Sequence, residues 1–272
     1  MIDGLQRIST IVKFLDEDEK WKLSKVEDID PKISGKFVSD LRNGSPNLRK
    51  YYDRVENISI PVTILRCDMS KSAHSEYVFT IFHRLNTGGT KLNNQEIRSC
   101  IFNGAFNDLL RRLDSNENWQ TLNKMSPDQH YRFTKQELIL RVFAFEEDLK
   151  NYGGKLSKFL NDYMRKYRHS DGAFINAKEV MFNEVVDLAL NKMWGGTAPR
   201  KINISIFEAA LVGIALNLEY LRNANPDDVV KSYKKLIASE PFSSEKLKEG
   251  LSAKVRVIER METAKTIFGP NG

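Results

Sequence analysis

ISIPVTILRCD, residues 58–68, is the stretch on which the fold class turns. Ile58, Ile60, Val62 and Ile64 recur at every second position, the period of a strand with one buried face. The segment is rich in β-branched residues, which favour a pleated backbone. Pro61 lacks an amide donor and so suits an edge strand or a strand start. Read this way, 58–68 is the best strand in the chain.

Outward from this segment the period changes to that of a helix. Before it, residues 4–16 place Leu5, Ile8, Ile11, Val12 and Leu15 on one helical face, with Asp3 as a candidate N-cap. Residues 18–57 are polar and turn-rich, with short strand or helix pieces at most. After it, 75–85 carries Val78, Ile81, Phe82 and Leu85 at helical spacing. Asn86 to Gly89 then read as a tight loop. Asn93 and Glu96 form a capping-box pattern, with Leu92 and Ile97 at staple positions. A helix is expected from about Asn94 to Arg112. From Thr134 onward nearly every segment reads as helix. TKQELILRVFAFEEDL looks strongly amphipathic, and SEKLKEGLSAKVRVIERMETAKTIF looks like one closing helix.

The chain has 272 residues, 41% hydrophobic and 29% charged, enough apolar material for a packed core. A net charge of +6 permits contact with nucleic acid or nucleotide phosphates without requiring either. Two cysteines, Cys67 and Cys100, with no C-x-x-C pair, fit a reduced, cytoplasmic setting. No basic-then-apolar leader opens the sequence. The most apolar stretch, 204–221, is interrupted by Glu208, Asn217 and Glu219, and reads as a buried core helix rather than a membrane span. His74, His83, His130 and His169 show no zinc-type spacing, and no metal site is expected. Trp119 and Trp194 read as packing residues.

Two motifs have the residue types that bind anions. In Asp3-Gly4-Leu5-Gln6-Arg7, free amides at a helix start favour an anion, Gly4 allows close approach, and Arg7 offers a planar fork for phosphate oxygens. The same residues also read as a plain cap, with Asp3 and Arg7 paired at i,i+4. In Arg84-x-Asn86-Thr87-Gly88-Gly89, followed by Glu96 and Arg98, two glycines precede a helix start. That fits a phosphate cradle, although no Gly-Lys-Ser/Thr closes it. It also reads as a C-cap joined to a capping box. Basic and tyrosine residues at 163–169 suit a solvated helix face better than a nucleic-acid stripe.

Taken together, IDGLQRISTI and IFHRLNTGGTKLNNQEIRSCIFNG resemble the two signatures of the DGQQR family, the N-terminal domain of GmrSD-type, modification-dependent restriction endonucleases. FTKQELILRVFAF resembles a looser third block, with an aligned Glu and Arg on a helix. The resemblance implies a ParB/sulfiredoxin-like fold with helical additions. It also implies nucleotide binding and hydrolysis with Mg²⁺, coupled to sensing of DNA modification. Carried over, Asp3, Gln6 and Arg7 would be catalytic. Gly4, Arg84, Asn86, Gly88, Gly89, Glu96 and Arg98 would hold the phosphates. Leu5 stands where the family has Gln, and by the resemblance the chain is expected to begin inside its domain and to have no nuclease activity on its own.

The expectations are therefore an α+β, predominantly helical chain. A partial ParB/sulfiredoxin-like part would span 1–125 and an all-helical domain 126–272. The function would be a nucleotide-binding module of a prokaryotic anti-phage restriction system, NTPase-like if active. Its expected partners are nucleotide, DNA, and a nuclease subunit or another copy of the chain, with no membrane. The competing readings are a non-catalytic DNA-binding or modification-sensing module, and a degenerate scaffold that binds a partner chain.

Overall fold

The computed structural model describes residues 4–85, 92–124, 134–199, 203–270 and 272. It divides into two compact units, 1–66 and 67–272. Among the described residues there are fourteen α-helices and no strand; the only β pairing is an isolated bridge between Lys22 and Phe37. The chain is predominantly helical.

Residues 58–68 overturn the strand expectation. They lie outside any helix or ladder. Ile58, Ile60, Val62, Ile64 and Leu65 are all exposed, Val62 at 73% and Ile64 at 79%. Alternation marks a strand only when a neighbouring strand supplies hydrogen bonds and a core covers one face. Neither is present among the described residues. The β-containing part of the expected fold class is thus without support in the structure.

The first unit contains α1 (Leu5–Leu15), α2 (Val38–Arg42) and α3 (Pro46–Glu56). Its core is small: Phe14, Val38, Leu41 and Tyr52 are buried, with Trp21, Leu23, Ile33 and Val55 packed around them. Phe14 stacks on Tyr52 at 5.5 Å between ring centroids. The eleven-residue α3 exceeds the short pieces expected for 18–57. Ser45 and Pro46 start it, since proline at the first position loses nothing by lacking an amide. Arg49 and Asp53, paired at 2.6 Å one turn apart, brace its middle.

The second unit opens with α4 (Ser72–Leu85), α5 (Asn94–Ile101), α6 (Ala105–Asp114) and α7 (Glu117–Asn123). The single helix expected over Asn94–Arg112 is two. Gly104, at φ 152°, breaks it, and any side chain there would stand 2.5 Å from the Arg168 carbonyl oxygen. Next come α8 (Thr134–Asp148), α9 (Leu156–Tyr167) and α10 (Gly172–Asp187), which runs into a π-turn at Leu188–Met193. The unit ends with α11 (Ile204–Leu216), α12 (Leu218–Asn223), α13 (Pro226–Ala238) and α14 (Lys254–Ile267). The expected closing helix is confined to α14, because residues 244–253 are turns and bends around Gly250, at φ 64°.

α8 and α11 form the centre of this unit. Leu138, Ile139, Leu140, Val142, Phe143, Ala144 and Phe145 are all buried, so α8 is covered on every side rather than amphipathic. It packs on α5, α6, α9 and α11. α11 is the expected core helix, shortened at Asn217, whose Nδ2 donates to the carbonyls of Gly213 and Lys265. Trp119 is fully buried, stacks near Phe207, and donates Nε1–H to Asp114. α6 and α7 pack on α10, and α6 also packs on α8, so the second unit extends across residue 125, where the sequence reading placed its boundary.

Candidate functional site

The two motifs fall in different units: Gly4, Gln6 and Arg7 in the first, and Arg84, Glu96 and Arg98 in the second. Asp3, Asn86, Gly88 and Gly89 lie outside the described residues.

In the first motif, Gly4 is the N-cap of α1 and sits in left-handed backbone at φ 90°, a region costly for any residue with a Cβ. A Cβ at Gly4 would lie 3.8 Å from Arg7 Nη2, so the guanidinium stands over the glycine backbone. Gln6 and Arg7 are exposed. Both thus lie at the surface, beside a helix end with partial positive charge.

The second motif separates. Arg84 is exposed in the last turn of α4, where a cation also complements the helix dipole. Glu96 caps its own helix: its carboxylate accepts from the Asn93 amide at 2.6 Å, while Asn93 Oδ1 accepts from the amides of Gln95 and Glu96. The expected capping box is present.

Arg98 goes inward and is 1% exposed. Its Nη1 donates to Glu137 at 2.7 Å and to Gln95 Oε1 at 3.2 Å, and its Nε donates to Asn161 at 2.8 Å. Its Nη2 donates to Ser157 at 3.3 Å. Glu137 passes the chain on: its other oxygen accepts from Arg141 Nη2 at 2.6 Å. Arg141 Nη1 donates to Glu208 at 3.0 Å, in the middle of α11. Arg260 of α14, also buried, adds a favourable field at Glu208 and donates to the Leu251 carbonyl at 2.6 Å. Burial pushes the Glu137 carboxyl up, but Arg98 and Arg141 outweigh it and hold the group below the usual carboxylate range. Burial dominates at Glu208 and raises its pKa in spite of Arg141.

A pocket of about 270 Å³ opens beside this chain, lined by Asn93, Asn94, Gln95, Glu137, Leu138, Arg141 and Ile204. Neither Gln95 nor Arg141 was singled out from the sequence as a binding residue. The available signals were charges within apolar helices: Glu137 and Arg141 spaced i,i+4 in α8, and Glu208 inside the most apolar stretch. Among the described residues no group of three His, Cys, Asp or Glu side chains could hold a metal. None of their helices is long and apolar enough to cross a membrane.

These features define a predominantly helical protein organised around a buried arginine–carboxylate chain, with a second arginine motif exposed at a helix start. Residues 1–103 match the family model described as GmrSD restriction endonuclease, N-terminal domain, and this stretch is a domain of that type. The match runs through α5 and stops at Asn103, immediately before α6. It ties the chain to restriction endonuclease systems. No curated protein and no solved structure matches the chain.

Proposed function

We propose that the chain is a nucleotide-binding module of a modification-dependent restriction system, with the nucleotide phosphates received at the start of α1. One observation carries this reading: the left-handed Gly4 backbone lies directly under the exposed Arg7 guanidinium within the stretch that matches a restriction endonuclease domain. Amide groups at a helix start and a planar guanidinium are complementary to phosphate oxygens. Gln6, exposed one residue earlier, is placed to orient a water or a phosphate edge. Mg²⁺ reaches such sites largely on the nucleotide's own phosphates, needing one or two carboxylates from the protein, and Asp3 is the residue assigned to that role. Any hydrolysis would rest on positioning and charge stabilisation by Arg7.

The test is binding of ATP, GTP and CTP with Mg²⁺, and phosphate release, by wild type and Arg7→Ala. Arg7 is exposed, and binding is compared on Arg7→Ala protein shown to be folded. Loss of binding in a folded Arg7→Ala protein is the expected result. Equal binding by the two proteins would end the reading.

A second reading, a module that docks a nuclease subunit, is favoured by a separate observation. Ile8, Val12, Ile58, Ile60, Val62 and Ile64 of the first unit are exposed, more large apolar side chains than so small a unit ordinarily leaves uncovered. Val12→Lys with Val62→Lys should abolish association with that subunit while nucleotide binding persists. Unchanged association would remove this reading.

A further inference from the structure

Two Asn-Gly pairs lie among the described residues: Asn43-Gly44 between α2 and α3, and Asn103-Gly104 between α5 and α6. Such a pair carries its own reagents. The glycine nitrogen, with no Cβ beside it, is an unshielded nucleophile, and the asparagine side-chain amide next to it is an electrophile. The two meet only when the peptide plane between the residues turns, and the asparagine carbonyl turns with it. Whatever holds that carbonyl therefore controls the rate.

The two pairs are held very differently. The Asn103 carbonyl accepts from Arg168 Nε at 2.7 Å. Gly104 is fitted against the same arginine, where a Cβ would stand 2.5 Å from the Arg168 carbonyl oxygen. The peptide plane of this pair is fastened to the end of α9. Asn43 and Gly44 are both exposed. The Asn43 backbone amide donates to the Ser39 carbonyl at 2.9 Å. Among the described residues, no hydrogen bond reaches the Asn43 carbonyl, the Asn43 side-chain amide or the Gly44 N–H.

We propose that Asn43 is a site of spontaneous deamidation, the one of these two pairs that the native fold leaves reactive. The Gly44 nitrogen attacks Asn43 Cγ and gives up its proton. The bond from Cγ to the side-chain nitrogen breaks, and ammonia leaves. The cyclic imide so formed takes up a solvent water. Opening at Cγ yields aspartate, and opening at the backbone carbonyl yields isoaspartate, with the main chain rerouted through the former side chain. Either product puts a negative charge at the C-terminal end of α2, where the helix dipole disfavours it. Isoaspartate also adds a methylene to the backbone. Val38 and Leu41 of α2 belong to the small core of the first unit, and Arg49 Nη1 donates to the Arg42 carbonyl at 2.8 Å across this corner. A rerouted chain beside Leu41 loosens that core. The site rests on neither functional reading.

The intact chain is aged in mildly alkaline buffer, both native and in enough urea to unfold it. The peptides holding Asn43 and Asn103 are then quantified by mass spectrometry, with isoaspartate told from aspartate by fragmentation. In the native protein Asn43 should convert about tenfold or more faster than Asn103, whose carbonyl must first leave a charged donor. In urea neither carbonyl is held, and the two rates should converge. Folded Arg168→Met should speed conversion at Asn103 and leave Asn43 unchanged. Hydrogen exchange of α2 and α3 should quicken in aged wild type but not in aged Asn43→Gln, a change at an exposed position. Gly44 is left alone because a Cβ there would stand 2.2 Å from the Asp40 carbonyl oxygen. An intact Asn43 in aged native protein, the same ratio of rates native and in urea, or no effect of Arg168→Met on Asn103 would overturn the proposal. Unchanged exchange in converted wild type would overturn its consequence for the core.

Discussion

Arg98 shows how far a residue's role can depart from its motif. In the sequence it closes a signature that suggests phosphate contact; in the structure its guanidinium is spent on Glu137, Asn161, Gln95 and Ser157. The partners stand 39 to 63 residues away, save Gln95, so no local pattern could have revealed them. Glu96 is the opposite case: its contact is three residues away, and the capping box was legible from spacing alone. Removing one member of a buried ion chain strands the others, and Arg98→Ala should cost about 3–5 kcal/mol by urea unfolding. Glu137 also predicts a pH dependence. Its folded pKa lies below the unfolded one, so its stabilisation is complete above the unfolded value and fades as pH falls towards the folded value. Wild type should therefore lose stability on acidification through the carboxylate range. Glu137→Gln should be less stable at neutral pH and respond less steeply to acid, as measured by denaturation at a series of pH values.

Among the elements, α8 and α11 were recognisable as helices but not as the centre of the second unit. A helix covered on every side shows little periodic contrast, and its neighbours are fixed by tertiary contacts. The break at Gly104 did carry a local signal in Asn103-Gly104, and the Ser45-Pro46 start of α3 another; both were outweighed by the surrounding pattern. The segment 58–68 failed for a different reason, because alternation records what a strand would need and not whether a partner exists. α11 and α14 approach each other closely at Gly213. A Cβ there would stand 2.6 Å from the Phe268 ring and 2.9 Å from the Ala264 carbonyl oxygen. Gly213→Ala should force α11 and α14 apart at a cost of about 1–3 kcal/mol, lowering the melting temperature although alanine is the better helix former.

At the scale of the whole molecule, the two units differ in how much they bury. The first relies on four buried hydrophobic side chains, whereas the second encloses two all-round buried helices. A unit of that size with so small a core sits close to the limit of independent stability. Hydrogen exchange should show amides of α2 and α3 exchanging well before those of α8 and α11, rather than one global opening. Uniform protection across both units would contradict this.

The uncovered run from Ile58 to Leu65 has one more consequence. It holds eight consecutive residues without a charge, most of them apolar and β-branched, a composition that templates cross-β growth. Pro61 interrupts it at the centre, where it denies any incoming copy a ladder hydrogen bond. That single ring acts as a gatekeeper: Pro61→Val should leave the helices intact, yet make the chain seed thioflavin-positive fibrils on storage.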